Sequence, residues 1–327
     1  MDKNVKTLAP LPMKQMALTL RDRKMANLLR NTILLLCFTL ILGIVDSWAE
    51  TLTIGRVADD PTKYKKILKP LLDYVVSQAR DVGITEGAVK MTKNINETVH
   101  LLTAQKIDWV TASIGPALIY HDKTGADILL RTWRDGGPVY RTVFVARQDS
   151  SIESLDSLKG KTIAFQDPYS TSAYFIPLAI LRAAGLRVIE LASPKQKFSP
   201  DEVGYLFAGN ELNISTWVQR GITKVGAYND QNWVNPQYTP DVIKRDLKIF
   251  YQHKPVPRWV EVFRKDLDPR IKARIQEILV RADEDPEAQE ALKSYSNTKK
   301  FDEFKGEALQ GLDEAQRMMK FVVNEVK

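Results

Sequence analysis

Residues 161–172 read Lys-Thr-Ile-Ala-Phe-Gln-Asp-Pro-Tyr-Ser-Thr-Ser. The first five residues have the character of a buried strand, and the pattern from Thr171 to about Ala184 predicts a helix. Ser170, Thr171 and Ser172 therefore stand where that helix starts. First-turn amides lack internal partners and the helix dipole is positive there, so this turn suits an anion. The alternative is that Ser170 only caps the helix, which is a common role for serine.

The composition is that of a globular protein without an unusual charge. The chain has 327 residues, which is long enough for two domains, with 44% hydrophobic and 27% charged residues. Its net charge is +7, but residues 1–49 contain seven basic and three acidic residues, so the remainder carries only +3. The charge therefore does not indicate a nucleic-acid-binding surface.

Residues 1–49 have the three parts of a secretory signal peptide. A basic stretch ends at Arg30, an apolar run covers residues 33–45, and Ser47 and Ala49 occupy the −3 and −1 positions before Glu50. We expect cleavage near Ala49/Glu50 and a periplasmic location. The run has thirteen residues where about 20 are needed to span a bilayer, so a retained anchor is the less favoured alternative. The basic region is long for a signal peptide, and Met16 or Met25 is an alternative start.

Cys37 is the single cysteine of the chain, and it lies within the apolar run. A cleaved protein would therefore have neither a disulfide nor thiol chemistry. Lipidation is not expected, since Leu36 precedes the cysteine where processing favours a small residue.

After the leader, short apolar runs alternate with amphipathic segments, which predicts an α/β fold with mainly parallel sheets. One set of such units runs to about Asp149 and a second set follows it. The segment Lys254-Pro-Val-Pro-Arg258 predicts a stiff connection that carries the chain back to the first set. We therefore expect two lobes, one made of residues 50–145 and 254–327 and the other of residues 146–253. Two crossover strands would join them around a cleft.

Motifs for catalysis or metal binding are not apparent in the sequence. The three histidines, His100, His121 and His253, are not at metal-ligand spacing, and each is expected at the surface or at a helix cap. A nucleophile elbow, a phosphate-binding P-loop and a His-Glu-x-x-His motif are all missing from the sequence. We expect no catalytic residues, no metal and no cofactor, and hence a protein that is not an enzyme.

The segment from Ser157 to Ser172 resembles the central signature of the periplasmic phosphonate-binding protein family. This family comprises the substrate-binding components of ABC importers for phosphate, phosphite and phosphonates. Residues 134–140, Arg-Asp-Gly-Gly-Pro-Val-Tyr, and residues 264–269, Arg-Lys-Asp-Leu-Asp-Pro, are also similar to family segments. The resemblance extends over nearly all of residues 51–285. It implies a two-lobed, type II-like clamp that closes on an oxyanion and docks on a membrane permease.

The resemblance also implies ligand-binding residues. Ser170, Thr171 and Ser172 match the family's anion-binding turn, and Tyr140 matches a tyrosine before the crossover. Helix-start amides and hydroxyls can bind an anion without a buried cation. Among the tryptophans, Trp259 is the best candidate for the cleft, because it follows the return crossover, whereas the others are expected in packing roles.

Several positions depart from the family pattern. Glu211 stands in place of a histidine, Ile95 in place of an early tyrosine, Lys224 in place of an aspartate, and Arg258 with Trp259 in place of an acidic residue. A carboxylate facing an unshielded phosphonate would repel it. Either Glu211 contacts a cationic or hydroxyl part of the ligand, or it points elsewhere and Arg258 or Arg141 compensates.

We expect a monomer that captures a small oxyanion or zwitterion for an ABC permease. An alternative from another class is a periplasmic sensor that presents its closed form to a membrane kinase or cyclase. A hydrolase or transferase would need a nucleophile–base pair, which the sequence does not offer.

Overall fold

The computed structural model describes residues 50–135 and 137–322. The predicted signal peptide lies outside these residues, so its cleavage stays a prediction. Within the described part of the chain, no helix is both long and apolar enough to cross a lipid bilayer.

The first sheet combines three parallel strands with an antiparallel half. Strands β1 and β2 run parallel, as do β1 and β3, whereas β13 is antiparallel to both β3 and β4, and β14 is antiparallel to β4. Across the sheet the order is β14-β4-β13-β3-β1-β2. The bounds are β1 Glu50–Val57, β2 Ile84–Thr92, β3 Trp109–Ser113, β4 Asp127–Thr132, β13 Trp259–Phe263 and β14 Phe301–Glu303.

The second sheet is built in the same mixed way. Strands β10, β7, β9 and β8 are parallel neighbours, and β6 is antiparallel to β10 and to β11. The order across this sheet is β11-β6-β10-β7-β9-β8. The bounds are β6 Thr142–Arg147, β7 Thr162–Phe165, β8 Arg187–Glu190, β9 Glu202–Phe207, β10 Val225–Asn229 and β11 Leu247–Gln252.

Two short strands connect the sheets. Strand β5, Val139–Tyr140, lies between β4 and β6, and β12, Val256–Pro257, lies between β11 and β13. They pair antiparallel, with Val256 opposite Tyr140. The chain thus crosses to the second sheet and returns, which confirms the two predicted crossovers. The limits predicted for the lobes, 145/146 and 253/254, stay a prediction.

Helices cover the sheets, which confirms the α/β class. The α-helices are α1 Pro61–Gln78, α2 Ile95–Thr103, α3 Ile114–Thr124, α4 Ile176–Ala183, α5 Glu211–Gln219, α6 Asp230–Val234, α7 Asp241–Lys244, α8 Pro269–Arg281, α9 Gln289–Ser294 and α10 Glu307–Met319. Helix α10 packs on β12 and also on α3 and α4. The short elements β5, β8, β12, β14, α6 and α7 are too brief to give a periodic signal in the sequence.

The first turn of the helix predicted from Thr171 differs from an α-helix. Residues Thr171–Phe175 form a π-turn that leads into α4. Pro177 has no N–H with which to bond the carbonyl of Ala173, and that carbonyl instead accepts a hydrogen bond from the N–H of Gln166 at 3.1 Å. Such π-turns often occur at functional sites.

The burial of His253 contradicts the expectation that every histidine lies at the surface or at a cap. It follows β11 and is 9% exposed, and its Nε2 lies 3.0 Å from Oε1 of Glu314 on α10. Burial lowers the pKa of His253, although Glu314 acts in the opposite direction. The side chain therefore links the return crossover to the C-terminal helix.

Candidate functional site

A cavity of about 620 Å³ lies where the carboxyl ends of strands from both sheets meet the crossovers. Ligand sites of open α/β sheets are expected at such strand ends. All seven predicted site residues line it, namely Tyr140, Ser170, Thr171, Ser172, Glu211, Arg258 and Trp259. The structure thus brings them together, while their role in ligand binding stays a prediction.

Thr171 joins the Ser170–Ser172 turn to the opposite wall of the cavity. Its Oγ1 accepts a hydrogen bond from the N–H of Gly115 at 2.9 Å and donates one to Oγ of Ser113 at 3.0 Å. Ser113 ends β3 of the first sheet, and Gly115 lies in the first turn of α3. A Cβ at position 115 would lie 2.7 Å from both Oγ1 of Thr171 and Cδ2 of Phe175, so this approach requires glycine.

The two serines of the turn have different surroundings. Oγ of Ser170 accepts a hydrogen bond from the N–H of Ala173 at 3.3 Å, as an N-cap does. Oγ of Ser172 accepts one from Nδ2 of Asn229 at 3.5 Å, and its carbonyl accepts one from Oγ1 of Thr142 at 2.9 Å. Ser170 is therefore a cap that also lines the cavity, and Ser172 is fixed by its backbone with its hydroxyl only weakly engaged.

Tyr140 lies between the turn and Arg258. The residue is 5% exposed. Burial raises the pKa of Tyr140 to about 12, while the hydroxyls of Thr171 and Ser172 and the charge of Arg258 act to lower it. The phenol thus stays protonated at neutral pH and can donate a hydrogen bond to an anion that contacts the turn.

Two further arginines lie on the same wall as Arg258. The guanidinium carbon of Arg56 lies 3.8 Å from the ring centroid of Tyr64 and 4.8 Å from that of Trp259. That of Arg134 lies 4.5 Å from the Trp259 centroid. Burial lowers the pKa of Arg56, and burial followed by repulsion from Arg56 and Arg258 lowers the pKa of Arg134 to about 10. We call Arg56, Arg134 and Arg258 the arginine wall.

Carboxylates line another part of the cavity. Oε1 of Glu211 accepts a hydrogen bond from Nδ2 of Asn232 at 2.8 Å. Burial, followed by repulsion from Asp167, raises the pKa of Glu211. Burial is also the main cause of the raised pKa of Asp167, to which Asp59 contributes. The cavity lining therefore contains both guanidinium and carboxyl groups, and Asp167 lies beside the turn, where its Oδ1 accepts a hydrogen bond from the N–H of Tyr169 at 2.7 Å.

A buried carboxylate lies beneath the Trp259 ring. Glu261 is fully buried and accepts hydrogen bonds from Nε1 of Trp109 at 2.6 Å, Oγ1 of Thr132 at 2.6 Å and the hydroxyl of Tyr295 at 2.9 Å. Burial raises its pKa to about 7 despite these donors. Nε1 of Trp259 donates to Oγ1 of Thr111, which in turn donates to Glu261. This network fixes the ring on which the arginine wall packs.

The structure answers several alternatives left open by the sequence. Glu211 lines the cavity. Of the two arginines expected to compensate its charge, Arg258 lines the cavity, whereas Nη1 of Arg141 lies 3.7 Å from Oδ2 of Asp230. Lys224 is exposed at the start of β10, so it does not take the place of a binding aspartate. The opposite end of that strand supplies Asn229, which lines the cavity.

Sequence reasoning missed other lining residues, above all Arg56, Arg134, Asn229 and Asn232. Arg56 and Asn229 each stand at the carboxyl end of a predicted strand, which is the signal that could have found them. The other four tryptophans within residues 50–135 and 137–322 have packing roles, as predicted: Trp109 is fully buried, Trp217 and Trp233 pack on the core of the second sheet, and the Trp133 ring packs beside Lys300.

Comparison with known proteins agrees with this architecture. A family model described as "ABC transporter, phosphonate, periplasmic substrate-binding protein" matches residues 57–309. Structures of XAC2383 from Xanthomonas citri, one bound to chloride and one to ATP, are 35% and 34% identical to the chain. They cover 84% and 85% of this chain and 99% and 100% of their own, each with a TM-score of 0.79.

A more distant structure extends the similarity of fold. PhnD1 from Prochlorococcus marinus, in complex with methylphosphonate, is 18% identical with a TM-score of 0.58 and covers 83% of this chain and 98% of its own. The two-lobed fold predicted from the sequence is thus confirmed. Because the family model matches most of the chain and a relative at 35% identity covers 84% of it, the chain belongs to the phosphonate-binding family of periplasmic substrate-binding proteins, which are extracytoplasmic components of ABC transporters.

Proposed function

We propose that the protein captures an organic phosphonate or phosphate in this cavity and delivers it to an ABC permease. The observation that carries the proposal is the convergence of the Ser170–Ser172 turn, Tyr140 and Arg258 on one cavity. A helix-start turn, a protonated phenol and a guanidinium are all suited to phosphoryl oxygens. XAC2383, the relative at 35% identity, has been crystallised with chloride and with ATP, both of which are anionic.

The rest of the cavity suggests an organic ligand with a second chemical character. A volume of about 620 Å³ is within the range of about 300–1,000 Å³ typical of sites for organic ligands, which is larger than a free oxyanion needs. Glu211 and Asp167 would accept hydrogen bonds from a cationic or hydroxyl part of the ligand.

Other parts of this proposal follow from the family and from the sequence. We propose that the mature protein begins near Glu50, acts as a periplasmic monomer, and has its lobes divided at 145/146 and 253/254. All seven predicted residues would contact the ligand, with Trp259 contributing its ring face.

Calorimetry on the mature protein tests the proposal. We expect binding of at least one of methylphosphonate, 2-aminoethylphosphonate and orthophosphate, and a loss of about tenfold or more in that affinity with Ser172→Ala. The exposed Ser193 provides the matched control, and Ser193→Ala should leave the affinity unchanged. Failure of every oxyanion to bind would contradict the proposal. Binding without any uptake defect in a deletion strain would favour the sensor alternative instead of transport.

A further inference from the structure

The arginine wall lacks a full set of protein counter-charges. The nearest carboxylate to Arg258 is Asp135, with Nη1 3.3 Å from Oδ2, and Nε of Arg134 lies 4.0 Å from the same oxygen. One exposed carboxylate is thus the counter-charge of two guanidinium groups. Among residues 50–135 and 137–322, Arg56 has neither an ion pair within 4.0 Å nor a hydrogen-bond acceptor for its side chain; Asp59 and Glu261 act on its charge only from farther away.

Hydrogen-bonding capacity is also unused at this wall. Nε of Arg134 is buried and has no hydrogen-bond partner among the described residues. The guanidinium groups of Arg56 and Arg134 stack on the ring of Trp259. Stacking, and not a hydrogen-bond acceptor, therefore positions these two groups. A buried donor without an acceptor is costly, and so is the proximity of like charges. An anion at this wall would remove both costs.

The wall is separate from the Ser170–Ser172 turn but close to it. The N–H of Arg258 donates a hydrogen bond to the carbonyl of Pro138, two residues before Tyr140, and its Nη1 donates one to the carbonyl of Arg134, each at 3.0 Å, so Arg258 lies between the Tyr140 segment and Arg134. The carboxylate of Glu211, which lines the cavity beside Asn232, would repel an anionic group placed next to it. Two anionic groups a few bonds apart could therefore occupy the turn and the wall together.

We infer that Arg56, Arg134 and Arg258 form a second anion subsite, so the ligand is a phosphoryl compound that carries a second anionic group. A diphosphate and a phosphonate bearing a carboxylate both have this chemistry. The inference rests on the proposed function, because it assumes that the Ser170–Ser172 turn holds the first phosphoryl group.

The test compares mono- and dianionic probes by calorimetry at fixed ionic strength. The probes are methylphosphonate, phosphonoacetate and inorganic pyrophosphate. We expect wild-type protein to bind at least one of the last two at least tenfold more tightly than methylphosphonate. Arg56→Gln should lower the affinity for that dianionic probe at least tenfold and change the affinity for methylphosphonate less than threefold. Ser172→Ala should weaken all the probes that bind.

Matched variants distinguish a loss of ligand binding from a loss of folded structure. Arg141→Gln removes an arginine outside the cavity lining and should leave the preference intact. Arg56→Lys, which keeps the charge and loses the planar group, should retain part of the preference even where Arg56→Gln folds poorly. Equal affinity for mono- and dianionic probes, or an equal loss for both in Arg56→Gln, overturns the second subsite and leaves the proposed function standing. Failure of all probes to bind overturns both.

Discussion

The hydroxyl of Thr171 accepts a hydrogen bond from the backbone N–H of Gly115 at 2.9 Å, and this contact bridges the two sheets beside the cavity. Thr171 follows β7 of the second sheet, whereas Gly115 begins the helix after β3 of the first. The donor is a backbone group, so its position depends on the course of the chain and not on a rotamer. This geometry couples the Ser170–Ser172 turn to the first sheet.

Gly115→Ala should weaken ligand binding. The new Cβ would lie 2.7 Å from Oγ1 of Thr171, so the turn and α3 would have to separate. We expect a loss of about tenfold or more in the affinity for any oxyanion that binds, corresponding to about 1.4 kcal/mol, measured by calorimetry. Gly311→Ala in α10 is the matched control, since its Cβ would meet Pro257 at an ordinary 3.4 Å. Equal affinities for the Gly115→Ala variant and wild type would show that this contact does not shape the site.

Ser170→Ala separates capping from ligand binding. Loss of the bond from the N–H of Ala173 should lower the free energy of unfolding by about 1 kcal/mol, as for other N-caps. Ser170→Asn can still cap, so it should restore most of the stability in urea titrations. If Ser170 is a cap alone, the asparagine variant will bind its ligand as tightly as wild type; a weakened affinity in both variants, with stability restored in the asparagine variant, indicates direct contact.

Glu261 should make stability fall as pH rises. Its pKa is about 7 in the folded protein and 4.5 in the reference state, so the folded protein holds the proton more tightly between these values. The contribution is fully present below pH 4.5 and is lost through pH 7, by up to about 3 kcal/mol. Urea unfolding at several pH values should show a flatter profile for Glu261→Gln than for wild type. Parallel profiles for the two proteins would contradict the raised pKa.

Asp108 should matter for stability more than for binding. Its Oδ1 accepts a hydrogen bond from Nε of Arg264 at 2.7 Å and its Oδ2 accepts one from the N–H of Thr53 at 2.8 Å. Both charged side chains are only 11% exposed. Asp108→Ala leaves the guanidinium with the exposed Asp266, whose Oδ1 lies 3.1 Å from Nη1, as its carboxylate partner, and we expect a loss of about 1.5–3 kcal/mol in unfolding free energy.

The exposed pair Lys69–Asp73 supplies the control for that experiment. Asp73→Ala should change the unfolding free energy by less than about 1 kcal/mol, because solvent screens such a pair. Similar losses in the two variants would mean that burial does not strengthen the Asp108–Arg264 interaction.

The sequence predicted those site residues whose role depends on their neighbours along the chain. Ser170, Thr171 and Ser172 are contiguous at a strand–helix junction, which indicates a helix start. The segment Lys254–Arg258 contains two prolines, which indicates a stiff connection. Elements such as β5 and β12 escaped prediction because two residues cannot show a periodicity. The sequence did not predict the π-turn at Thr171–Phe175 either, since this turn depends on which N–H group donates to the carbonyl of Ala173.

The sequence by itself thus determined the α/β class, the two crossovers and the place of the Ser170–Ser172 turn, because periodicity, proline and helix-start chemistry act over a few residues. Only the tertiary structure decided that Arg56, Arg134 and Arg258 share one tryptophan-centred wall, and that Gly115 meets Thr171. These groups are dozens of residues apart and carry no common spacing. Their proximity arises because the ends of β1, β3 and β4 and the start of β13 lie at one edge of the first sheet, where the crossovers lead to the second sheet.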